Sequence, residues 1–136
     1  MTPVFADTYY WLAMINPRDG AHQEAVALSQ SLTQSLVTTA WILTEVGDAM
    51  CVPANRPTFG KLLERLANDP ETTVVPAEQK WFDRGAAFYA ARLDKKWPLT
   101  DCISFVIMQE FGLTDSLTAD GDFTQAGFRI LMTREP

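Results

Sequence analysis

Four acidic residues are candidates for chemistry because each lies beside or within an apolar segment. Asp7 lies near the end of the apolar run PVFADT (3–8), and Asp120 ends the segment DSLTAD (115–120). Glu45 lies in the mainly apolar segment AWILTEVGDAM (40–50), and Asp101 directly precedes the most apolar run of the chain, CISFVIM (102–108). Acidic side chains are seldom buried without a partner. In such settings a carboxylate can bind a metal ion or take part in catalysis.

Three of these acids also have an ordinary structural interpretation. Asp is common at turns and strand ends, which would account for Asp7 and Asp120 without any ligand. Glu45 can lie on the one solvated edge of its helix, beside Asp48 three residues later. The sequence of these segments leaves both interpretations open.

Asp101 has two interpretations at the start of its predicted helix. It can cap the helix by accepting hydrogen bonds from free backbone N–H groups. Thr100 can take that role instead, which would make Asp101 the first helical residue, free for a site and favoured as an anion by the helix dipole. Ser104 lies three residues later on the same face and marks the only polar edge of a helix that is otherwise apolar.

The acids point to a bound cation if they converge. Like charges close together cannot all be ionised unless a cation offsets them. No Lys or Arg lies within a few residues of Asp7, Glu45 or Asp120, so a metal ion is the expected cation. Carboxylate oxygens suit Mg²⁺ or Mn²⁺.

Short apolar segments alternate with segments of helical periodicity along the chain. This alternation predicts an α/β domain with a parallel sheet covered on both faces. Ligands of such sheets lie beyond the carboxyl ends of the strands, where Asp7 and Asp120 are expected. Predicted strands cover residues 3–8, 35–39, 71–76, 115–120 and 128–133, and predicted helices cover 9–15, 21–32, 40–50, 58–69, 77–96 and 99–112.

The composition is that of an ordinary globular protein of one domain, with 136 residues, 47% hydrophobic and 21% charged. No apolar run reaches the roughly 18 residues of a membrane span, and the N-terminal segment lacks a basic signal-peptide region. Cys51 and Cys102 have no metal-site spacing and fit reduced thiols, so a cytoplasmic location is expected. The net charge of −6 argues against nucleic-acid binding by broad electrostatics alone.

The chain resembles the PIN-domain ribonucleases, particularly the VapC-type toxins of bacterial toxin–antitoxin pairs. FADTYYWLAM (5–14) is similar to the family's opening strand, where an Asp is followed by Ser or Thr and an aromatic residue. TTAWILTEVGDAM (38–50), LTDCISFVIM (99–108) and LTADGDF (117–123) are similar to its later motifs. The resemblance implies a single PIN-like domain over residues 1–136. It also implies a three-layer α/β/α sandwich around a parallel sheet of four or five strands.

The resemblance implies an Mg²⁺- or Mn²⁺-dependent endoribonuclease that cleaves RNA phosphodiester bonds as the toxin of a type II toxin–antitoxin system. The acids that match its catalytic and metal-binding core are Asp7, Glu45, Asp101 and Asp120, with Asp122 as a further metal ligand. The residues expected to hydrogen-bond to them are Thr8, Ser104 and Thr118. The thin basic surface leaves an alternative, a catalytically decayed PIN-like module that binds RNA or protein as a regulator.

The partners implied are an RNA substrate, an antitoxin peptide and a second copy of the chain in a homodimer. The antitoxin peptide would lie on an apolar groove near the early helices, where Tyr9, Tyr10 and Trp11 are found, although each ring can equally belong to the core. The candidate RNA-binding residues, which can equally form a solvated helix face, are Arg84, Arg92, Lys95 and Lys96.

Overall fold

A five-stranded parallel sheet forms the centre of the computed structural model, which describes residues 1–133. Its strand order is β3-β2-β1-β4-β5, and every neighbouring pair is parallel. This architecture confirms the predicted α/β fold. The strands are β1 (Val4–Ala6), β2 (Leu36–Thr39), β3 (Thr72–Val75), β4 (Asp115–Leu117) and β5 (Arg129–Ile130).

Seven α-helices connect the strands within residues 1–133 and contact one another in two groups. The first group joins α1 with α2, α3 and α4, and the second joins α6 with α5 and α7. In the described part of the chain, no helix is both long and apolar enough to cross a membrane. The helices are α1 (Thr8–Ile15), α2 (His22–Ser31), α3 (Ala40–Ala49), α4 (Arg56–Ala67), α5 (Gln79–Ala91), α6 (Leu99–Glu110) and α7 (Gly121–Gln125), and a 3-10 turn spans Pro53–Asn55.

The strands predicted over 115–120 and 128–133 are shorter in the structure, as Asp115–Leu117 and Arg129–Ile130. Two other segments differ in kind or extent. The stretch predicted as a turn at residues 120–127 contains α7, because the Asp120 carboxylate accepts a hydrogen bond from the Asp122 backbone N–H and caps this short helix. The helix predicted over residues 77–96 ends at Ala91. Arg92, the next residue, forms a two-point ion pair with Asp94 instead of continuing the helix.

The predicted burial of α6 is confirmed, since its residues 101–108 are all buried. The helix packs closely on α5 at Gly85, where an added Cβ would lie 2.9 Å from the Ile103 Cα. It ends in a Schellman motif, in which Gly112 has a φ of +68° and the Leu113 N–H donates to the Met108 carbonyl. The buried remainder of α6 therefore holds the first turn of this helix in a fixed position.

Successive strands are added on opposite sides of β1, so the strand order changes direction between β1 and β4. From β1 the sheet grows through β2 to β3 on one side, and β4 and β5 lie on the other. Such a switch point opens a crevice at the carboxyl ends of the two central strands. Asp7 directly follows β1, and residues 118–120 directly follow β4, so these side chains meet at that crevice.

Candidate metal centre

Thr118 joins the ends of the two central strands. Its hydroxyl donates to the Asp7 Oδ2 over 2.8 Å and accepts the Asp120 backbone N–H over 3.1 Å. Asp7 and Thr118 are both buried, and no other strand lies between them. Thr118 thus orients one predicted site acid and the backbone of another, as expected of a residue that supports the site.

Glu45 reaches the same crevice from α3. It is partly buried, and its Oε1 accepts a hydrogen bond from the Thr8 hydroxyl over 2.6 Å. Thr8 is the first residue of α1, directly after Asp7, so this bond ties α3 to the end of β1. Glu45 therefore faces the site, whereas Asp48 is exposed.

Asp101 lies in the first turn of α6, but the predicted cap at Thr100 is wrong. The helix begins at Leu99 with Pro98 in the N-cap position, and no side chain caps it. Proline presets the extended backbone that precedes a helix. Asp101 is consequently the third helical residue, buried to 8% exposure, and its carboxylate turns to the other acids.

Three carboxylates come together into what we call the carboxylate cluster. One oxygen from each of Asp101, Asp120 and Asp122 lies within 4.8 Å of the other two. Asp7 and Glu45 lie outside this cluster. They share with Asp101 and Asp120 a cleft of about 740 Å³, hereafter the acidic cleft.

The environment of the acidic cleft disfavours the ionised forms of two buried acids, Asp101 and Asp7. The pKa of Asp101 is raised to about 8, chiefly by burial and in addition by the nearby carboxylates of Asp7, Asp120, Asp122 and Glu45. Burial also raises the pKa of Asp7 to about 6, against the opposing effect of its hydrogen bond from Thr118. The net effect on Asp101 favours the neutral form, because desolvation and like charges outweigh the expected contribution of the helix dipole.

The donor set of the acidic cleft fits a hard divalent cation. All the acids supply oxygen, which Mg²⁺ and Mn²⁺ prefer. A cation would also offset the repulsion that raises the pKa of Asp101. The residues able to hold it are Asp101, Asp120 and Asp122, with Asp7 and Glu45 beside them.

Two further residues of the site depart from expectation. Ser104 is fully buried, but its hydroxyl has no hydrogen-bond partner within residues 1–133, so the expected bond to an acid is absent there. Asp19, in the turn before α2, lines the acidic cleft and was missed. The only signal in the sequence was the turn NPRDG (16–20), which by itself is typical of a surface loop.

The four predicted RNA-binding cations lie in two places. Arg84 pairs with Glu110 over 3.4 Å at the end of α6, whereas Asp101 lies at its start, about 13 Å away along the helix axis. Arg92, Lys95 and Lys96 instead line a second cleft that adjoins the acidic one. The fold does not bring Arg84 together with the other three.

The early aromatic residues combine core and groove positions. Tyr10 and Trp11 are buried, with their rings 5.0 Å apart in an edge-on contact. Both also line a cleft of about 990 Å³, together with Leu62 and Leu66 of α4. Tyr9 lies instead on the acidic cleft.

No family model matches the chain, but individual proteins do. The 23S rRNA-specific endonuclease VapC20 of Mycobacterium tuberculosis is 29% identical over 128 residues, covering 92% of this chain and 95% of that protein. The crystal structure of M. tuberculosis VapC20, described as a sarcin-ricin loop cleaving toxin, superposes with a TM-score of 0.85 at 21% identity over 95% of this chain and 98% of that one. A toxin–antitoxin complex from Klebsiella pneumoniae superposes at 0.68 and 15% identity, over 98% and 99%. These matches confirm the resemblance to the VapC-type PIN-domain proteins.

Proposed function

We propose that this VapC-like PIN-domain chain is an endoribonuclease dependent on Mg²⁺ or Mn²⁺ and the toxin of a type II toxin–antitoxin pair. The observation that carries the proposal is the carboxylate cluster, with its oxygens within 4.8 Å, at the crevice between β1 and β4. An all-oxygen acidic site of this kind binds divalent ions that catalyse phosphodiester hydrolysis. The sequence and structure relatives support the same assignment.

The roles of the chain's own residues follow from their positions. Asp101, Asp120 and Asp122 would hold the metal, and Asp7, held by Thr118, would help orient the groups around it. A bound Mg²⁺ or Mn²⁺ would supply a Lewis acid that lowers the pKa of a coordinated water and neutralises phosphate charge. The net reaction joins a water oxygen to phosphorus, breaks one bond from phosphorus to a ribose oxygen, and leaves a proton on that oxygen.

Single-turnover cleavage of RNA tests this function. A fragment of 23S rRNA containing the sarcin–ricin loop is the first substrate to try, because a relative is described as cutting it. Asp101→Asn is expected to lower the cleavage rate roughly 100-fold or more, since loss of even a supporting partner at metal sites costs 10–100-fold. Asp48→Asn, which changes an exposed acid of α3, is the matched control and is expected to cleave normally.

Calorimetry with Mn²⁺ separates this proposal from the decayed-module alternative. If Asp101→Asn loses metal binding and the unmodified chain cleaves RNA, the nuclease proposal is supported. RNA binding with neither metal binding nor cleavage favours a regulatory module, for which the net charge of −6 is the motivation.

The partner surfaces are part of the same proposal. The cleft lined by Tyr10, Trp11, Leu62 and Leu66 is the proposed groove for an antitoxin peptide. Its apolar side chains would bury a hydrophobic segment of that peptide.

A homodimer and a cytoplasmic location are proposed as well. Light scattering of the purified chain tests the dimer, and co-expression with the product of the neighbouring reading frame tests the antitoxin.

A further inference from the structure

A second cleft, hereafter the basic cleft, borders the acidic cleft at the start of α6. It has a volume of about 560 Å³, and Pro98 lines both clefts. Asp101 faces the acidic cleft while Cys102, the next residue, lines the basic one. The first turn of α6 is thus the shared wall of the two clefts. The residues of the basic cleft used below are Tyr89, Arg92, Leu93, Lys95, Lys96 and Trp97.

The basic cleft carries positive charge on a chain whose net charge is −6. Arg92 and Lys95 both pair with a single acid, Asp94, at 3.0 and 3.8 Å. Lys96 is exposed and forms no ion pair with any residue in the described range 1–133. Three cations therefore face one carboxylate, and the excess charge is available to an anion.

A buried ring holds these cations in place. Trp97 is 4% exposed, its Nε1 donates to the Gln125 Oε1 over 3.2 Å, and its ring packs edge-on against Phe105 at 5.2 Å. The Arg92 guanidinium and the Lys95 ammonium lie 4.9 and 5.8 Å from the centre of that ring. Cation–π contacts with a fixed ring lower the entropy that two long side chains would lose on binding a ligand.

Exposed flat and apolar groups border the same cations. Tyr89 is 53% exposed and Leu93 is 93% exposed. An exposed aromatic ring beside positive charge is the arrangement on which unpaired nucleic-acid bases stack. An acidic peptide would use the charge of the cleft but would have no specific need of the Tyr89 ring.

We propose that the basic cleft binds the single-stranded RNA segment next to the phosphodiester that is cut. Lys95 and Lys96 contact its phosphates, and the Tyr89 ring stacks on one unpaired base. This inference rests on the proposed function, because it places the scissile phosphate in the acidic cleft across Pro98. It extends that function by assigning the substrate class at this position as unpaired RNA.

The phosphate contacts are tested by the salt dependence of RNA binding. Anisotropy of a fluorescein-labelled single-stranded RNA dodecamer is measured in EDTA across a series of KCl concentrations. Because each phosphate contact to a single strand contributes about 0.7 to the slope of log K against log salt, Lys95→Ala/Lys96→Ala is expected to flatten the slope by about 1.4. Lys80→Ala is the matched control, since this exposed lysine lies 4.9 Å over the Trp81 ring at the other end of α5. An equal slope in the double variant and the unmodified chain overturns the inference.

The stacking contact is tested by Tyr89→Ala, with Phe82→Ala as the control for loss of an exposed ring from α5. Tyr89→Ala is expected to weaken single-strand binding roughly 5- to 150-fold, the range found for one stacked base. A fully paired duplex of the same sequence is expected to show no such loss. Equal effects of the two substitutions, or equal losses on duplex and single strand, overturn the assignment to unpaired RNA.

Cleavage assays distinguish this inference from the proposed function. In an active enzyme, Tyr89→Ala and the double lysine variant raise KM while the single-turnover rate at saturating RNA changes less than about two-fold, because they remove uniform binding. Salt-dependent RNA binding at the basic cleft without any cleavage refutes the proposed function and supports this site. Cleavage by an enzyme whose KM is unaffected by these variants refutes this site alone. If these variants lose binding to an acidic peptide while their RNA binding is intact, the assignment of the basic cleft to RNA is also overturned.

Discussion

The carboxyl of Asp101 is expected to destabilise the metal-free chain, and replacing it with the neutral Asp101→Asn should stabilise that chain at high pH. The residue is 8% exposed and lies among four other acids of the site. An Asn of the same shape keeps the packing of the first turn of α6 but removes the charge. The gain in stability should come with a loss of metal binding and cleavage, as is typical of acids held together for function.

The magnitude follows from the pKa of Asp101, which is about 8 in the folded chain against an ordinary value of 3.8. The folded chain therefore holds this proton more tightly than the unfolded chain does. The contribution to stability is complete below about pH 4 and is lost as the pH rises towards 8. At about 1.4 kcal/mol per pH unit, the free energy of unfolding of Asp101→Asn should exceed that of the unmodified chain by about 6 kcal/mol well above pH 8.

Urea unfolding followed by tryptophan fluorescence measures this difference in EDTA at a series of pH values. The two proteins should have similar free energies of unfolding near about pH 4 and should diverge as the pH rises. Asp48→Asn, at an exposed position, should follow the unmodified chain throughout. Mn²⁺ should stabilise the unmodified chain and leave Asp101→Asn nearly unchanged, since a ligand stabilises only the state that binds it. A difference that does not grow with pH refutes the electrostatic reasoning.

Two further predictions concern the support of the site and the packing beneath it. Thr118→Val removes the hydrogen bond to Asp7, so it should raise the pKa of Asp7 further and cost about 1–3 kcal/mol of stability in urea unfolding. Unchanged stability would contradict the linking role of Thr118. Gly85→Ala would place a Cβ 2.9 Å from the Ile103 Cα and should cost about 1–3 kcal/mol as α5 and α6 separate. Gly60→Ala, with nothing within 4 Å in α4, should instead raise stability by up to about 1 kcal/mol; equal effects at both glycines would refute the close packing.

Local pattern was sufficient where an element carries its own signal. The burial of residues 101–108 in α6 is predicted because a helix that is apolar nearly all round must be buried. Asp7 directly follows β1 as predicted, whereas Asp120, predicted at the end of its strand, lies three residues beyond β4 and caps α7. Helix α7 was missed because five residues carry too little periodicity, and its cap, Asp120, is equally typical of a turn.

The sequence by itself determined the alternation of elements and the identity of the acids, since both are properties of neighbouring residues. Only the tertiary structure decided which acids meet, because the order of the strands sets the distance between residues far apart in the chain. Thr118 reaches Asp7 across 111 positions only because β4 lies next to β1. The tertiary structure likewise decided the surroundings of Asp101. Helix α6 begins after Pro98, so Asp101 lies in its first turn as a buried carboxyl near other acids. No local pattern of residues 97–108 shows those neighbours.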